Sequence, residues 1–87
     1  MTHIAKIAAV TKVADVGEEL MSFVEFKAER EGRKLTGDES VIILQVDGTQ
    51  SYHPIFLPAK IEDIEEELNK VDVTLNADSK KSILELL

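Results

Sequence analysis

The feature that most constrains the fold is a near-continuous apolar segment from Val41 to Val46. A strand with one wet face alternates apolar and polar residues, whereas a strand covered on both faces has no such alternation. The segment therefore predicts a central strand with protein packed on both sides. Asp47 and Gly48 follow it. Because glycine tolerates positive φ, we expect a tight reversal into a partner strand from Tyr52 to Leu57, with Pro54 at the start of that strand or at a sheet edge.

A first helix is predicted after Asp15, which stands with Glu18 in the positions of a capping box. The residues that follow have the spacing of one helical face: Val16, Leu20, Phe23, Val24 and Lys27. Gly32 is the expected stop, because glycine enters the left-handed region without steric cost. Before this helix, Ile4 to Val13 is predicted to form a strand whose alternation is imperfect, which indicates an edge, a bulge or a strand that leaves the sheet early.

The last third of the chain predicts helix, strand and helix. Pro58 suits a first helical turn, and that helix has an apolar stripe and an acidic outer side. A fourth strand is expected over Val71 to Leu75, and Asn76 or Asp78 can cap a final helix. The stripe comprises Ile61, Ile64, Leu68 and Val71, and the final helix is expected to bury Ile83, Leu84 and Leu87. The element order gives an α+β class: a βαββαβ-type antiparallel or mixed sheet packed by helices, like a ferredoxin-like sandwich, with an additional C-terminal helix.

Length and charge limit the function classes. The 87 residues suit one domain, residues 1–87, and the absence of cysteine excludes disulfides and favours the cytoplasm. A formal charge of −7 disfavours binding to nucleic acid. No apolar stretch approaches the length of a membrane span, and the N-terminus does not resemble a signal peptide.

The hairpin turn is the most unusual segment. Hydroxyl groups, the only tyrosine and one of two histidines lie together there, and they predict a small-molecule or anion site formed by Thr49, Ser51, Tyr52 and His53. In that reading His53 is a possible acid or base near neutral pH. Turns also select such residue types for local reasons, so a plain polar turn remains the alternative. No catalytic residue, metal ligand or cofactor is assigned.

Two other arrangements are open. His3, His53 and Asp47 would form an open three-ligand metal site if they met across neighbouring strands. A metal-assisted hydrolase would instead need Asp47, Glu62 and Asp78 to converge near His53. The acidic run from Glu62 to Glu67 is more typical of a solvated helix face.

The C-terminal segment, Ile83 to Leu87, carries apolar residues on more than one helical face. A short final helix cannot easily bury Leu86 and Leu87 together. Surplus apolar surface of this kind indicates a partner, and an unpaired sheet edge offers a second route to self-association. We therefore expect a homodimer.

Two resemblances accompany these patterns. Phe23 to Ala28 with Gly32-Arg33, and then Gly48 to Leu57, resemble a small uncharacterised family of methanogenic archaea, which implies an archaeal cytoplasmic protein and no known activity. A fainter resemblance is to the bifunctional nuclease domain, and it implies a shared fold. It is carried by Val41 to Leu44, by Pro54 to Pro58 with Glu62 to Ile64, and by Leu75 to Asp78 with Ile83 to Leu87; Lys60 and Ala77 stand where that family has glutamate and histidine.

The sequence thus favours a non-catalytic binding or assembly module, with self-association as the expected partnership. The alternatives are a small metal-assisted hydrolase of the nuclease type and a regulatory domain that senses a small metabolite. A sensing domain would require a concave apolar pocket beside the Thr49–His53 turn.

Overall fold

A computed structural model describes residues 3–87 as four strands and three helices. The strands are β1 (His3–Lys12), β2 (Ser40–Val46), β3 (Tyr52–Phe56) and β4 (Val73–Leu75), and the helices are α1 (Glu18–Arg30), α2 (Ile61–Asn69) and α3 (Ala77–Leu86); a short 3₁₀ turn, Val13–Asp15, precedes α1. The α+β class, the βαββαβ order and the additional C-terminal helix are confirmed.

The four strands form one mixed sheet in the order β3-β2-β1-β4. The pairs β1–β2 and β2–β3 are antiparallel, and β4 runs parallel to β1. The strand arrangement therefore differs from the split βαβ arrangement of a ferredoxin-like sandwich. The reason is that α1 joins β1 and β2, which are antiparallel neighbours in this sheet. Pro54 lies in β3, which is an edge strand as the missing amide hydrogen requires.

The apolar segment of β2 faces two cores, as predicted. Its side chains at 42 and 44 pack with residues of α2 and α3, and those at 41 and 43 pack with residues of α1. Helices therefore cover both faces of the sheet around β2. The four residues Val41, Ile42, Ile43 and Leu44 are fully buried.

The imperfect alternation of β1 results from a bulge. The register with β2 shifts between Ile7 and Ala9, and the odd-numbered side chains change face there: Ala5 and Ile7 pack in the α2–α3 core, and Ala9 packs in the α1 core. The Ile7 amide donates a hydrogen bond to the Ser79 hydroxyl of α3 at 3.1 Å. The bulge alternative is confirmed, and the edge alternative is wrong because β1 lies between β2 and β4.

The helix starts are partly as expected. Asn76 caps α3 by accepting a hydrogen bond from the Ser79 amide. Asp15 does not cap α1, because it closes the 3₁₀ turn and Gly17 takes the cap position. Pro58 lies before α2 and not in its first turn, since the chain leaves the sheet only after Leu57 donates to the Ser40 carbonyl and α2 begins at Ile61.

Gly32 ends α1 with φ of +64°, as predicted. The Gly32 amide donates to Glu29 and the Arg33 amide to Ala28, which satisfies two terminal carbonyls. In α3 only part of the expected burial is found. Ile83 is buried, whereas Leu84 and Leu87 are about half exposed because α3 meets the sheet along one narrow face. Val71 likewise lies exposed, in the turn before β4. Within residues 3–87, no helix has the length and apolar character needed to cross a membrane.

Candidate functional site

A groove of about 450 Å³ opens between α1 and β3 at the edge of the sheet. We call it the α1–β3 groove. Three segments supply its walls: α1, the end of the hairpin turn with β3, and one residue of α2. Its lining comprises Ser22, Phe23, Phe26, Lys27, Arg30, Ser51, Tyr52, His53, Pro54 and Glu67. The volume lies within the range of small-molecule sites, about 300–1,000 Å³.

Aromatic rings form one wall of the groove. Phe23 and Tyr52 meet edge to face, with ring centroids 5.1 Å apart and an interplanar angle of 63°. Phe26 is 62% exposed, although it is a large apolar residue. The guanidinium carbon of Arg30 lies 5.9 Å from the Phe26 ring centroid, within cation–π distance. The wall therefore combines an apolar surface with a positive charge.

Lys27 anchors the groove. Its side chain extends from α1 and is nearly buried, and its Nζ donates a 2.9 Å hydrogen bond to the Pro54 carbonyl of the edge strand. Nζ also pairs with Glu67 of α2 and lies 3.8 Å from Glu31. A buried ammonium is stable only with such partners. One side chain thus ties α1, β3 and α2 together at the sheet edge.

His53 is kept neutral by its surroundings. Its pKa lies below the ordinary value of 6.5, chiefly because partial burial disfavours the charged form, with further lowering by Lys27 and Arg30 and an opposing effect of Glu67. A neutral imidazole has one nitrogen that donates and one that accepts a hydrogen bond. At neutral pH the His53 ring can therefore both donate a hydrogen bond to a ligand and accept one from it.

The structure brings three of the four predicted ligand residues to this groove: Ser51, Tyr52 and His53. Thr49 is not among them. Its hydroxyl donates to the Val46 carbonyl at 2.8 Å and accepts from the Ser51 amide at 3.1 Å, so it closes the hairpin turn. Thr49 instead lines a smaller neighbouring depression together with Ser51 and His53, and its ligand-binding role stays a prediction.

Sequence reasoning did not assign the α1 side of the groove or its α2 residue. A lysine within the apolar stripe of α1 was a usable signal, since such a position demands a buried partner for Lys27. Phe26 gave a weaker signal as an aromatic residue beside that stripe. No local pattern marked Arg30 or Glu67, because their roles depend on segments that are distant in sequence.

The metal and hydrolase arrangements do not form. His3 and His53 line one smaller depression of about 260 Å³, but the Asp47 carboxylate lies 3.2 Å from the Lys6 ammonium. Across residues 3–87, no group of three histidine, aspartate or glutamate side chains is placed to hold a metal ion. The convergence that Asp47, Glu62 and Asp78 would need for metal-assisted hydrolysis is therefore missing from this part of the chain.

The fold and groove define a small α+β domain with a mixed sheet and an edge pocket. The chain matches the family described as "Domain of unknown function (DUF749)" over residues 3–87, and it belongs to that family. It is also 31% identical over 77 residues to "Uncharacterized protein MJ0858" of the archaeon Methanocaldococcus jannaschii, an alignment that covers 86% of this chain and 68% of the relative. No solved structure matches the chain significantly.

These findings confirm the resemblance to a small uncharacterised archaeal family. They give no support to the resemblance to the bifunctional nuclease domain. The common apolar residues that suggested a nuclease include Ile42, Leu44 and Ile83, which pack together in the α2–α3 core.

Proposed function

We propose that this domain is a non-catalytic binding module of the cytoplasm that holds a small molecule in the α1–β3 groove. The observation that carries the proposal is the exposure of Phe26, at 62%, beside the Phe23–Tyr52 pair in a concave site. Exposed aromatic surface costs free energy in water, and an aromatic concavity with a few polar groups is typical of ligand sites. The pocket required for a metabolite-sensing domain lies beside the predicted turn, so this proposal covers sensing as well as simple binding.

The polar groups of the groove suit binding better than catalysis. Lys27 is fully engaged by Pro54 and Glu67, so it is not available as a nucleophile. Among residues 3–87, the His53 side chain makes no hydrogen bond or ion pair of the kind that orients a catalytic base. Ser51 and Ser22 supply hydroxyls that can hydrogen-bond a ligand in either direction.

A fragment screen with a built-in reporter tests this function. Tyr52 is the only tyrosine and the chain has no tryptophan, so intrinsic emission excited near the tyrosine band reports on the groove alone. A library of neutral, anionic and cationic fragments is titrated, with amide NMR shifts as the second readout. We expect saturable binders that alter Tyr52 emission and shift the groove amides.

A matched pair of variants assigns the binding to the groove. Phe26→Ser should weaken any binder by about tenfold or more, because burying an aromatic ring contributes roughly 1.5–3 kcal/mol. Val10→Ser removes an exposed apolar side chain from β1, outside the groove and away from the end of α3, and should leave affinity unchanged. The groove-binding function would be refuted if no fragment bound saturably, or if both variants lost affinity equally.

We also propose that the domain forms a homodimer through the end of α3. Leu84, Leu86 and Leu87 are 50%, 54% and 48% exposed within the last four residues of the sequence, and apolar surface of this kind favours a partner. Light scattering on the purified protein should give twice the monomer mass of 9.7 kDa. Leu84→Glu with Leu86→Glu should return it to a monomer, whereas Lys81→Glu on the same helix should not. A monomer mass for the unmodified chain at millimolar concentration would contradict the dimer.

A further inference from the structure

The charges of the α1–β3 groove are unequal. Two cations, Lys27 and Arg30, and one carboxylate, Glu67, line it, and His53 is neutral near pH 7. Lys27 and Glu67 neutralise each other in a direct ion pair. Arg30 has no carboxylate within 4 Å among the residues that the structure describes, and its guanidinium lies beside the Phe26 ring. The groove therefore presents one uncompensated positive charge on a chain whose formal charge is −7.

An uncompensated arginine in such a setting favours a carboxylate. The guanidinium presents planar, paired donors that match the two oxygens of a carboxylate group. A highly charged phosphate ester would meet the strongly acidic protein with only one unpaired cation to hold it, and the chain has no glycine-rich phosphate loop. One negative charge is therefore the best match.

The remaining walls favour a flat, unsaturated body. Phe26 and the Phe23–Tyr52 pair present ring faces and edges, which pack best against another ring in stacked or edge-to-face geometry. The hydroxyl of Ser51 and the imidazole of His53, which also line the groove, can hydrogen-bond the ligand.

We propose that the α1–β3 groove binds a planar aromatic carboxylate, with the carboxylate on Arg30 and the ring against Phe26 and Tyr52. The inference rests on the proposed binding function and names the chemical class of its ligand. Two residues have separate roles in this proposal: Arg30 selects the negative charge of the ligand, and Phe26 selects its flat ring.

Three related compounds test the assignment: 2-naphthoate, its neutral amide, and the fully saturated decahydro-2-naphthoate. Dissociation constants are measured by amide NMR titration of the purified full chain at low salt. We expect 2-naphthoate to bind about tenfold more tightly than its amide, because only the carboxylate can pair with Arg30. We expect it to bind at least about threefold more tightly than the saturated acid, because only the flat ring can stack on the aromatic wall. Raising the salt concentration should reduce its advantage over the amide.

Variants locate the two contributions. Arg30→Gln should abolish the preference for naphthoate over the amide while leaving the affinity for the amide within about twofold. Lys34→Gln makes the same change in net charge at an exposed lysine outside the groove and should keep the preference. Melting temperatures of both variants show whether each is folded.

Each outcome decides a separate point. Equal affinity for naphthoate and its amide overturns the carboxylate, and equal affinity for the saturated acid overturns the planar ring, yet both leave groove binding in place. Saturable binding by none of the three overturns the ligand class, and the broad fragment screen then shows whether the binding function fails with it. A preference for naphthoate that persists in Arg30→Gln overturns the role of Arg30.

Discussion

Lys27 gives the sharpest test of how this fold is held together. Its ammonium is the only cation in the described chain that is bonded at once to the edge strand and to a helix on the opposite face of the sheet. Lys27→Met keeps most of the apolar stem and removes the charge. The Pro54 carbonyl then loses its hydrogen-bond donor at a buried position, and α1 loses its direct tie to α2.

The magnitude follows from the partners. A buried carbonyl left without a donor costs about 1–3 kcal/mol. The pair with Glu67, whose side chain is 46% exposed, adds only about 0.2–1 kcal/mol because solvent screens it. Removing a charge from a site that is 8% exposed recovers part of this cost. The net destabilisation is about 2 kcal/mol, whereas Glu67→Gln, which leaves the bond to Pro54 intact, should cost about 0.5 kcal/mol.

Urea unfolding followed by circular dichroism measures the free energy of unfolding of both variants, and a thermal scan measures their melting temperatures. Lys27→Met should lower the melting temperature by about 8–16 °C, given roughly 4–8 °C per kcal/mol for a chain of this size. Lys81→Met, an exposed lysine of α3 without an ion pair in the described structure, should change stability by less than about 0.5 kcal/mol. The urea dependence should be equal in all variants. If Lys27→Met cost no more than Glu67→Gln, the bond to the Pro54 carbonyl would not be the main contribution and the reasoning would fail.

Three further predictions concern the bulge, the helix end and the imidazole. Ser79→Ala should cost about 1–3 kcal/mol by leaving the Ile7 amide without its acceptor, whereas exposed Ser82→Ala on the same helix should cost less than about 0.5 kcal/mol in parallel urea titrations. Gly32→Ala should lower the free energy of unfolding by about 1 kcal/mol, because φ is +64° and alanine is strained there. An added Cβ would meet no atom within 4 Å, so a much larger loss would contradict this backbone explanation. The lowered pKa of His53 means that the unfolded chain takes up the proton first as pH falls, so the free energy of unfolding should decline from pH 7.5 to 5.5 more steeply in the unmodified protein than in His53→Gln. Equal slopes would show that the imidazole is not perturbed in the fold, and an NMR titration of His53 with a midpoint at or above 6.5 would show the same.

Much of the fold could be predicted because it depends on neighbours in sequence. The unbroken apolar segment of β2 required cover on both faces, and helices are found there. Gly32 and Asn76 end and start helices through bonds to residues within a few positions. The helix starts predicted at Asp15 and Pro58 were wrong, because they depend on more than neighbouring residues. Either residue could start a helix locally, but the path of the chain into and out of the sheet places the starts of α1 and α2 at later residues.

The candidate site divides in the same way. Ser51, Tyr52 and His53 are adjacent in sequence, so their unusual composition was visible without a structure. The rest of the groove exists only because the strand order β3-β2-β1-β4 puts β3 at the edge, where α1 lies close enough to supply Phe26 and Arg30.

The sequence by itself determined the elements, the two-sided burial of β2 and the turn chemistry, since these follow from periodicity and from single-residue backbone preferences. Only the tertiary structure decided which strands pair and that Lys27 meets Glu67 across 40 positions of the chain. It also decided that no carboxylate within residues 3–87 comes within 4 Å of Arg30. Those outcomes depend on packing between segments that are distant in sequence. The free energy of that packing is shared among many side chains, so no local sequence pattern predicts it.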